Sequence, residues 1–301
     1  MKLCKVIIAV LLLLAGPTGA RASEAACRIY TAAGQPVTVE ALAELMDHYD
    51  VVVFGEYHDN TVLHSLELEL LKKTFARQPQ LALSLEMFER DVQGDLNDYL
   101  SGRIAEQEFL AKSRPWKNYQ EAYRPLVAFA GVNSLPVVAA NIPRALAAQY
   151  AQTGSLDGIP AAMKRYLPQV HLAPAGEYRQ QFMAYMTENV SSARMPVTPD
   201  KLDNYYKAQC LKDDTMAESI VSFLQLHPDY KLIHYQGDFH SRGRLGVVEK
   251  LQLLNPALKV AVITPIYTAN TDGLPELLAR YPNVGDVVVF LSRQDNYRGG
   301  Q

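Results

Sequence analysis

A chain of 301 residues, 49% apolar and 20% charged, with a formal charge of −3, has the balance of an ordinary globular protein with a sizeable core. That length exceeds a single small domain and fits one large α/β domain carrying insertions; no basic stripe is present, which excludes a nucleic-acid surface. Repeats, low-complexity tracts and a Pro/Gly-rich interdomain linker are also missing from the sequence.

The first 22 residues read as a leader. Lys2 and Lys5 open it, Val6 to Ala15 is an apolar run, and Gly16, Pro17 and Gly19 break that run. Ala20-Arg21-Ala22 is an A-x-A site, so cleavage before Ser23 is expected, and the apolar run is too short to span a bilayer. The alternative is a lipid anchor at Cys27. It has a poor lipobox, because Glu24 stands where an apolar residue is usual. Export is expected, to a bacterial periplasm or to association with the outer membrane. Loss of Lys2, Lys5 and Arg21 leaves 26 basic and 32 acidic residues, a formal charge of −6, on a mature chain of residues 23–301 read as a single domain. Cys4 leaves with the leader. Cys27 and Cys210 remain, and a disulfide between them and two separate thiols are both open.

Along the mature chain an amphipathic helix is expected over Thr38 to Asp47. Val51 to Glu56 is mostly β-branched and apolar and fits a buried strand; Gly55 interrupts it, and Glu56, His58, Asp59 and His64 then crowd together. From Thr61 the apolar spacing becomes helical through Val62, Leu66 and Leu70, giving a helix from about Asn60 to Ala76 that Pro79 closes. Further strands are expected over Leu81–Phe88, Pro136–Ile142, Lys231–Gln236, Lys259–Ile266 and Asp286–Ser292. Helices fall between most of them, which predicts an α/β fold: a mostly parallel sheet covered by helices on both faces. Two connections are too long for simple crossovers. Residues 89–134 hold about three short helices. Residues 144–229 hold helices near Ala145–Gln152, Pro160–Tyr166, Gly176–Asn189 and Pro199–Leu226, and the two insertions are expected to form a helical subdomain over the strand ends.

Ligands of open α/β sheets sit outside the carboxyl ends of the strands. Three strands deliver ionisable groups there: Glu56 and His58, then Glu86, then Asp238 and His240. Such a set could hold a divalent metal, through Glu56, His58, Glu86 and His240, or carry acid–base chemistry. Each carboxylate alone could equally cap a helix or pair with an arginine. His64 lies six residues past His58, so the two need not face together, and His234 inside a strand reads as a core residue. Arg242, Arg244 and the glycines of HSRGRLG resemble an anion-binding loop that opens a helix, or a helix cap that balances Asp238. No P-loop, nucleophile-elbow or H-E-x-x-H motif occurs.

Five segments, GEYHDNTVLH, LSLEMFERDVQ, PVVAANIPR, YYKAQCLKDDTMAESI and QGDFHSRGRLG, resemble the ChaN-like haem-binding proteins of the Tiki superfamily, in that family's order and from about Val51 to Ser292. The resemblance implies an exported α/β protein, often a lipoprotein, that works in bacterial haem or iron uptake with an outer-membrane haem receptor system. It also implies a haem pocket at a homodimer interface, built from the helical insertion. Other branches of the superfamily use G-x-x-H with acidic partners as a metal-dependent peptidase site, and Gly55-Glu56-Tyr57-His58 and Gly237-Asp238-Phe239-His240 both fit that pattern.

Haem iron is held by His, Cys, Met or Tyr. Without a C-x-x-C-H motif the haem would be b-type and non-covalent. A phenolate suits ferric iron and reversible capture, provided the metal or a nearby cation favours the anion of a group whose ordinary pKa is about 10. The chain has 17 tyrosines, and the second insertion places Tyr178, Tyr185, Tyr205 and Tyr206 near His171, Met183, Met186 and Met195. Tyr206 is favoured as the axial ligand with His171 as its polar partner, and Tyr205 is the rival. Any of these tyrosines could instead pack in the core with its hydroxyl satisfied.

Overall fold

The protein is described here by a computed structural model covering residues 27–192, 198–269 and 273–292. The expected leader and Met195 lie outside the described residues. Seven strands form one sheet: β1 (Cys27–Thr31), β2 (Val51–Glu56), β3 (Leu81–Glu89), β4 (Val137–Asn141), β5 (Lys231–Gly237), β6 (Val260–Thr268) and β7 (Val287–Ser292). Their order is β1-β7-β6-β2-β5-β3-β4. Every pairing is parallel except that of β1 with β7. The described helices are α1 (Val39–Leu45), α2 (Thr61–Arg77), α3 (Gln93–Leu100), α4 (Glu106–Ser113), α5 (Arg124–Val132), α6 (Arg144–Thr153), α7 (Ala161–Lys164), α8 (Glu177–Ser192), α9 (Pro199–Leu226), α10 (Val247–Leu254) and α11 (Leu274–Leu278).

β2 runs through the middle of the sheet, and its side chains divide by parity. Val52 and Phe54 pack with Leu63, Leu66 and Leu70 of α2 on one face. Val51 and Val53 pack on the other face with Met216, Ala217 and Ile220 of α9 and Val247 and Leu251 of α10. Helices therefore cover both faces, and each fully buried Val or Leu contributes roughly 1.5–3 kcal/mol of hydrophobic stabilisation. Asn60 caps α2 by accepting from Leu63 N at 2.9 Å.

α9 has 28 residues, about 42 Å of helix, and it does two jobs. Its second half lies on the sheet. Its first half runs past the strand ends, where Tyr206 and Cys210 pack with Tyr178 and Phe182 of α8 and with Leu245. Thr198 caps its start by accepting from Lys201 N.

The structure departs from the sequence reading in two places and closes one alternative that the sequence left open. The lead-in contains β1, whose five residues pair antiparallel with β7; a run as short as CRIYT carries no readable alternation. Cys27 and Cys210 are not joined: one sits in β1 and the other on α9 in the aromatic cluster, both buried. The first insertion is not a separate layer, because Val92, Leu96, Phe109, Tyr123 and Leu126 belong to the same core as α2 and the sheet. It includes one π-helical turn, Tyr119–Tyr123.

β4 is an edge strand, and unpaired edges invite association with other chains. Here the Gln93 side chain covers it. Its Nε2 donates to Val137 O at 2.8 Å and its Oε1 accepts from Ala139 N at 2.7 Å, the two bonds that a neighbouring strand would make. Replacing Gln93 with Ala should expose both groups and cost about 1–2 kcal/mol. Urea unfolding should show an earlier midpoint with an unchanged m-value, and the variant should associate more readily at high concentration.

Candidate functional site

The site begins where β2 and β5 end side by side. Their register places Gly55 opposite Gln236 and Glu56 opposite Gly237, so the two G-x-x-H turns leave adjacent strands almost level. They interlock through their glycines. A Cβ on Gly55 would lie 2.8 Å from Asp238 Oδ1 and 2.9 Å from its Cα, while a Cβ on Gly237 would lie 2.8 Å from His58 Nε2. Each turn fills the space that a side chain on the other would need.

Parity then sends the acids to opposite faces. Glu56 shares the face of Val52 and Phe54 and points toward α2; Glu86 shares the face of Ala82 and Ser84 and points toward α9. β3 bulges between Leu85 and Glu89 against β4, as strands do where a side chain must be re-aimed.

On the α2 side Glu56 is buried and heavily bonded. Its Oε1 accepts from His58 Nδ1 at 2.7 Å and from Tyr123 OH at 2.7 Å. Its Oε2 lies 3.1 Å from His64 Nδ1, which is also 3.1 Å from Glu67 Oε2. His64 Nε2 lies 3.1 Å from the His58 carbonyl, so this nitrogen carries a hydrogen and donates. Burial would raise the Glu56 carboxyl, but the bonds from His58 and His64 outweigh it and bring it to about 2. Burial and the Glu56 charge together push Glu67 well up, since two carboxylates this close do not both ionise. His64, opposed by burial but held by both acids, rises to about 10.

On the α9 side Glu86 Oε2 accepts from Gly237 N at 2.7 Å, and its Oε1 lies 3.3 Å from His240 Nε2. His240 Nδ1 bonds Asp213 Oδ1 at 2.5 Å. Burial works against charge on His240, yet Glu86 and Asp213 bring its pKa to about 9. The Glu86 carboxyl, which burial alone would raise, is held well below its ordinary range by His240 and His58.

Between the two sides lies a cleft of about 460 Å³ lined by His58, Glu86, Trp116, Asn141, Lys212 and His240, with Glu89 and Arg144 at its edge. His58, Glu86 and His240 thus meet in one cleft, and Glu56 stands behind His58. Asp238 does not join them. It pairs with Arg242, Nε to Oδ2 at 2.6 Å, and that guanidinium also reaches Tyr57 OH and Pro265 O. Burial raises the Asp238 carboxyl to about 6 despite Arg242. Arg244 bonds Asp286 at 2.6 Å and Val260 O at 2.9 Å. Both arginines therefore brace the fold on the far side of β5, and the anion-loop reading of HSRGRLG has no free guanidinium to rest on.

The tyrosines separate just as sharply. Tyr206 is 1% exposed and its hydroxyl donates to Pro174 O at 2.6 Å; burial, and then Cys210, raise its pKa. In this arrangement it holds a loop. Tyr178 is buried beside it, with rings 5.9 Å apart. His171 Nδ1 bonds Asp214 at 2.7 Å and its Nε2 lies 3.1 Å from Tyr150 OH. It and Tyr206 pin the same loop to α9. Tyr205 is half-buried, with Lys201 over its ring at 5.3 Å. Tyr185 is 54% exposed and lies 5.5 Å from the Phe239 ring, beside half-buried Met183 and Met186.

Sequence reasoning missed Asp213, Glu67, Tyr123 and Lys212. Two of them left a signal. Asp213 follows Tyr206 by seven and Cys210 by three and precedes Ala217 by four, so it occupies the buried stripe of α9. Glu67 stands four residues from both Leu63 and Leu71 on the buried stripe of α2. A charge on an apolar stripe implies a buried partner.

Among the described residues, the group whose donor atoms lie within 4.8 Å of one another as a metal would require is Glu56, His64 and Glu67. His58, Glu86 and His240 form no such group, and both Glu86 oxygens are already bonded. A divalent ion held by those three cleft residues does not fit this arrangement.

An α/β sheet with paired G-x-x-H turns at its strand ends defines the class. Residues 42–251 match the family described as haem-binding uptake, Tiki superfamily, ChaN, and the chain belongs to that family. It is similar to the structure of ChaN of Campylobacter jejuni, described with cofacial haem binding, at 17% identity over 88% of this chain and 97% of that one, with a TM-score of 0.65. It is also similar to an erythromycin esterase in an open conformation, at 11% identity over 83% of this chain and 92% of that one, with a TM-score of 0.51. These structural likenesses show the fold. No curated protein matches the chain.

Two outcomes follow from the geometry. Gly237→Ala should cost about 1–3 kcal/mol through overpacking against His58, seen as a lower unfolding midpoint. The second concerns pH. His64 and His240 have folded pKa values raised to about 10 and about 9. Their contribution to stability is complete below about 6.5, the unfolded value, and is lost as pH rises through the folded values. The melting temperature should fall between about pH 7 and pH 10, and the fall should be shallower in His240→Asn.

Proposed function

We propose that this protein captures haem reversibly as a step of haem uptake, and that the iron contact is made by the exposed phenol of Tyr185. Membership of the haem-binding uptake family, through residues 42–251, carries the reading. Tyr185 supports its local form, because its ring lies 5.5 Å from that of Phe239, which packs with Met183 and Met186 on one aromatic cluster and directly precedes His240 of the cleft. A phenol and an apolar shelf suit a flat b-type haem held without covalent bonds. Bound haem would supply the chromophore and the iron; the chain supplies the oxygen ligand and the shelf. One shelf covers one face of a haem, so a second copy of the chain is proposed to cover the other. Export to the periplasm or outer membrane, and an outer-membrane haem receptor as partner, complete the reading and rest on the leader-like first 22 residues.

Haemin added to apo-protein should give a high-spin ferric spectrum with a phenolate charge-transfer band. Tyr185→Phe should abolish the band, whereas Tyr206→Phe should leave it and lower stability by about 1 kcal/mol through the lost hydrogen bond. Haem should shift the protein toward a dimer in sedimentation. A band that survives Tyr185→Phe and disappears in Tyr206→Phe would return the ligand role to Tyr206.

A second reading is favoured by one observation: two imidazoles, each backed by a buried carboxylate, face one cleft. We propose it as a hydrolytic site. His58, oriented by Glu56, would move the proton of water, and His240, charged at neutral pH, would stabilise developing negative charge. Hydrolysis of a chromogenic aryl ester should fall at least about a hundred-fold in His58→Asn and should be indifferent to EDTA. No turnover above the His58→Asn background would remove this reading.

A further inference from the structure

We infer that the cleft binds a small organic oxyanion, a carboxylate or a phosphate, and that Lys212 is the residue that selects it. The lining has few acceptors left to offer and two donors. Both oxygens of Glu86 are taken, by Gly237 N and His240 Nε2. Both oxygens of Glu89 are taken, by Arg114 at 2.8 Å and by Arg144. Asn141 is spent on both ends, its Nδ2 on Glu86 O at 3.1 Å and its Oδ1 on Ile142 N at 2.8 Å. Both carboxylates in the wall and the Asn141 amide are therefore committed, and Gln209 spends its Nε2 on Tyr178 OH and the His240 ring.

The donors are not. Among the described residues Lys212 makes no side-chain hydrogen bond and no ion pair, although it lines the cleft half-buried on α9. The Trp116 indole lines the same cleft, edge-on to His58 with ring centroids 4.8 Å apart, and its N–H is likewise unengaged. Glu86 is near enough to feel the Lys212 charge, but a half-buried ammonium facing a cavity without an ion-pair partner of its own is costly to hold. The negative charges nearby do not supply one, because each already has its own cation or donor. A ligand that accepts hydrogen bonds and carries negative charge completes the site. Trp116 and Ile142 add an aromatic and an aliphatic wall, so an anion with an organic body fits better than a bare ion. The sources of such an anion are a free metabolite and the propionate of a haem whose ring lies on the neighbouring Tyr185 shelf; the chemistry at Lys212 is the same.

Trp116 is the only tryptophan of the chain, so its fluorescence reports this cleft alone. Full-length protein titrated with inorganic phosphate, and separately with succinate, should show a saturable change in emission with at least one of them. Lys212→Gln should weaken that response on the order of ten-fold or more, as loss of a charge-assisted bond does, and Lys212→Arg should retain most of it. Circular dichroism on both variants reports folding. Haemin and haemin dimethyl ester then separate the sources. Competition of haemin, but not of its ester, with the anion identifies propionate; lack of competition identifies a free anion. The phenolate band of haem should persist in Lys212→Gln, so failure of the haem reading and failure of this inference are read on different signals. No saturable response to either anion in the wild type, or an equal response in folded Lys212→Gln, overturns the inference.

Discussion

The structure depends on the close approach of two strand ends. β2 and β5 are neighbours in a parallel sheet, and each finishes in a turn that needs the other's glycine. Because Gly55 has no side chain, Asp238 can sit against it; because Gly237 has none, the His58 ring can. The approach brings two buried ion-pair systems within one turn of each other. Asp238 and Arg242 close the far side, with Tyr57 as a third member. Glu56, His58, His64 and Glu67 close the α2 side. Buried charges are tolerated only when paired and bonded, so the turns and the pairs require one another.

α9 connects this centre to the rest of the molecule. Residues on that one helix back His240, through Asp213, and line the cleft, through Lys212 and Gln209. One turn away Tyr206 and Cys210 pack under the aromatic shelf that carries Tyr185 and Phe239. The clasp of His171, Lys250 and Asp214 anchors the same helix to α10 and to the loop before α8. α9 therefore contributes residues to the cleft and packs against the shelf. A ligand that spans both would meet a preformed surface and lose little to reorganisation.

Membership of a haem-binding family and possession of an acid–base cleft are compatible. The proposed haem contact would use the half-exposed Tyr185 of α8 and the Phe239 ring. The cleft asks for oriented imidazoles and an anion partner, which the strand ends and α9 provide. Neither uses Arg242 or Arg244, whose charges are consumed inside the fold.

The strands and long helices were legible because their periodicities are strong. β2 and α9 appear in the sequence with nearly their final bounds, and the parallel sheet follows from their alternation. That Glu56, His58, Glu86 and His240 share a rim was also readable, since each follows an apolar β run. What the sequence alone determined about this protein is thus the α/β class, the family and the set of acids and imidazoles at the strand ends. Tertiary structure decided which partner each of them has. Asp238 faces Arg242 and not the cleft, packed against the bare Gly55 backbone, and the Tyr206 hydroxyl bonds Pro174 while Tyr185 is 54% exposed. Periodicity places a residue on a face of its own element; which other element covers that face, and so which partner a polar group meets, depends on packing between segments far apart in the chain.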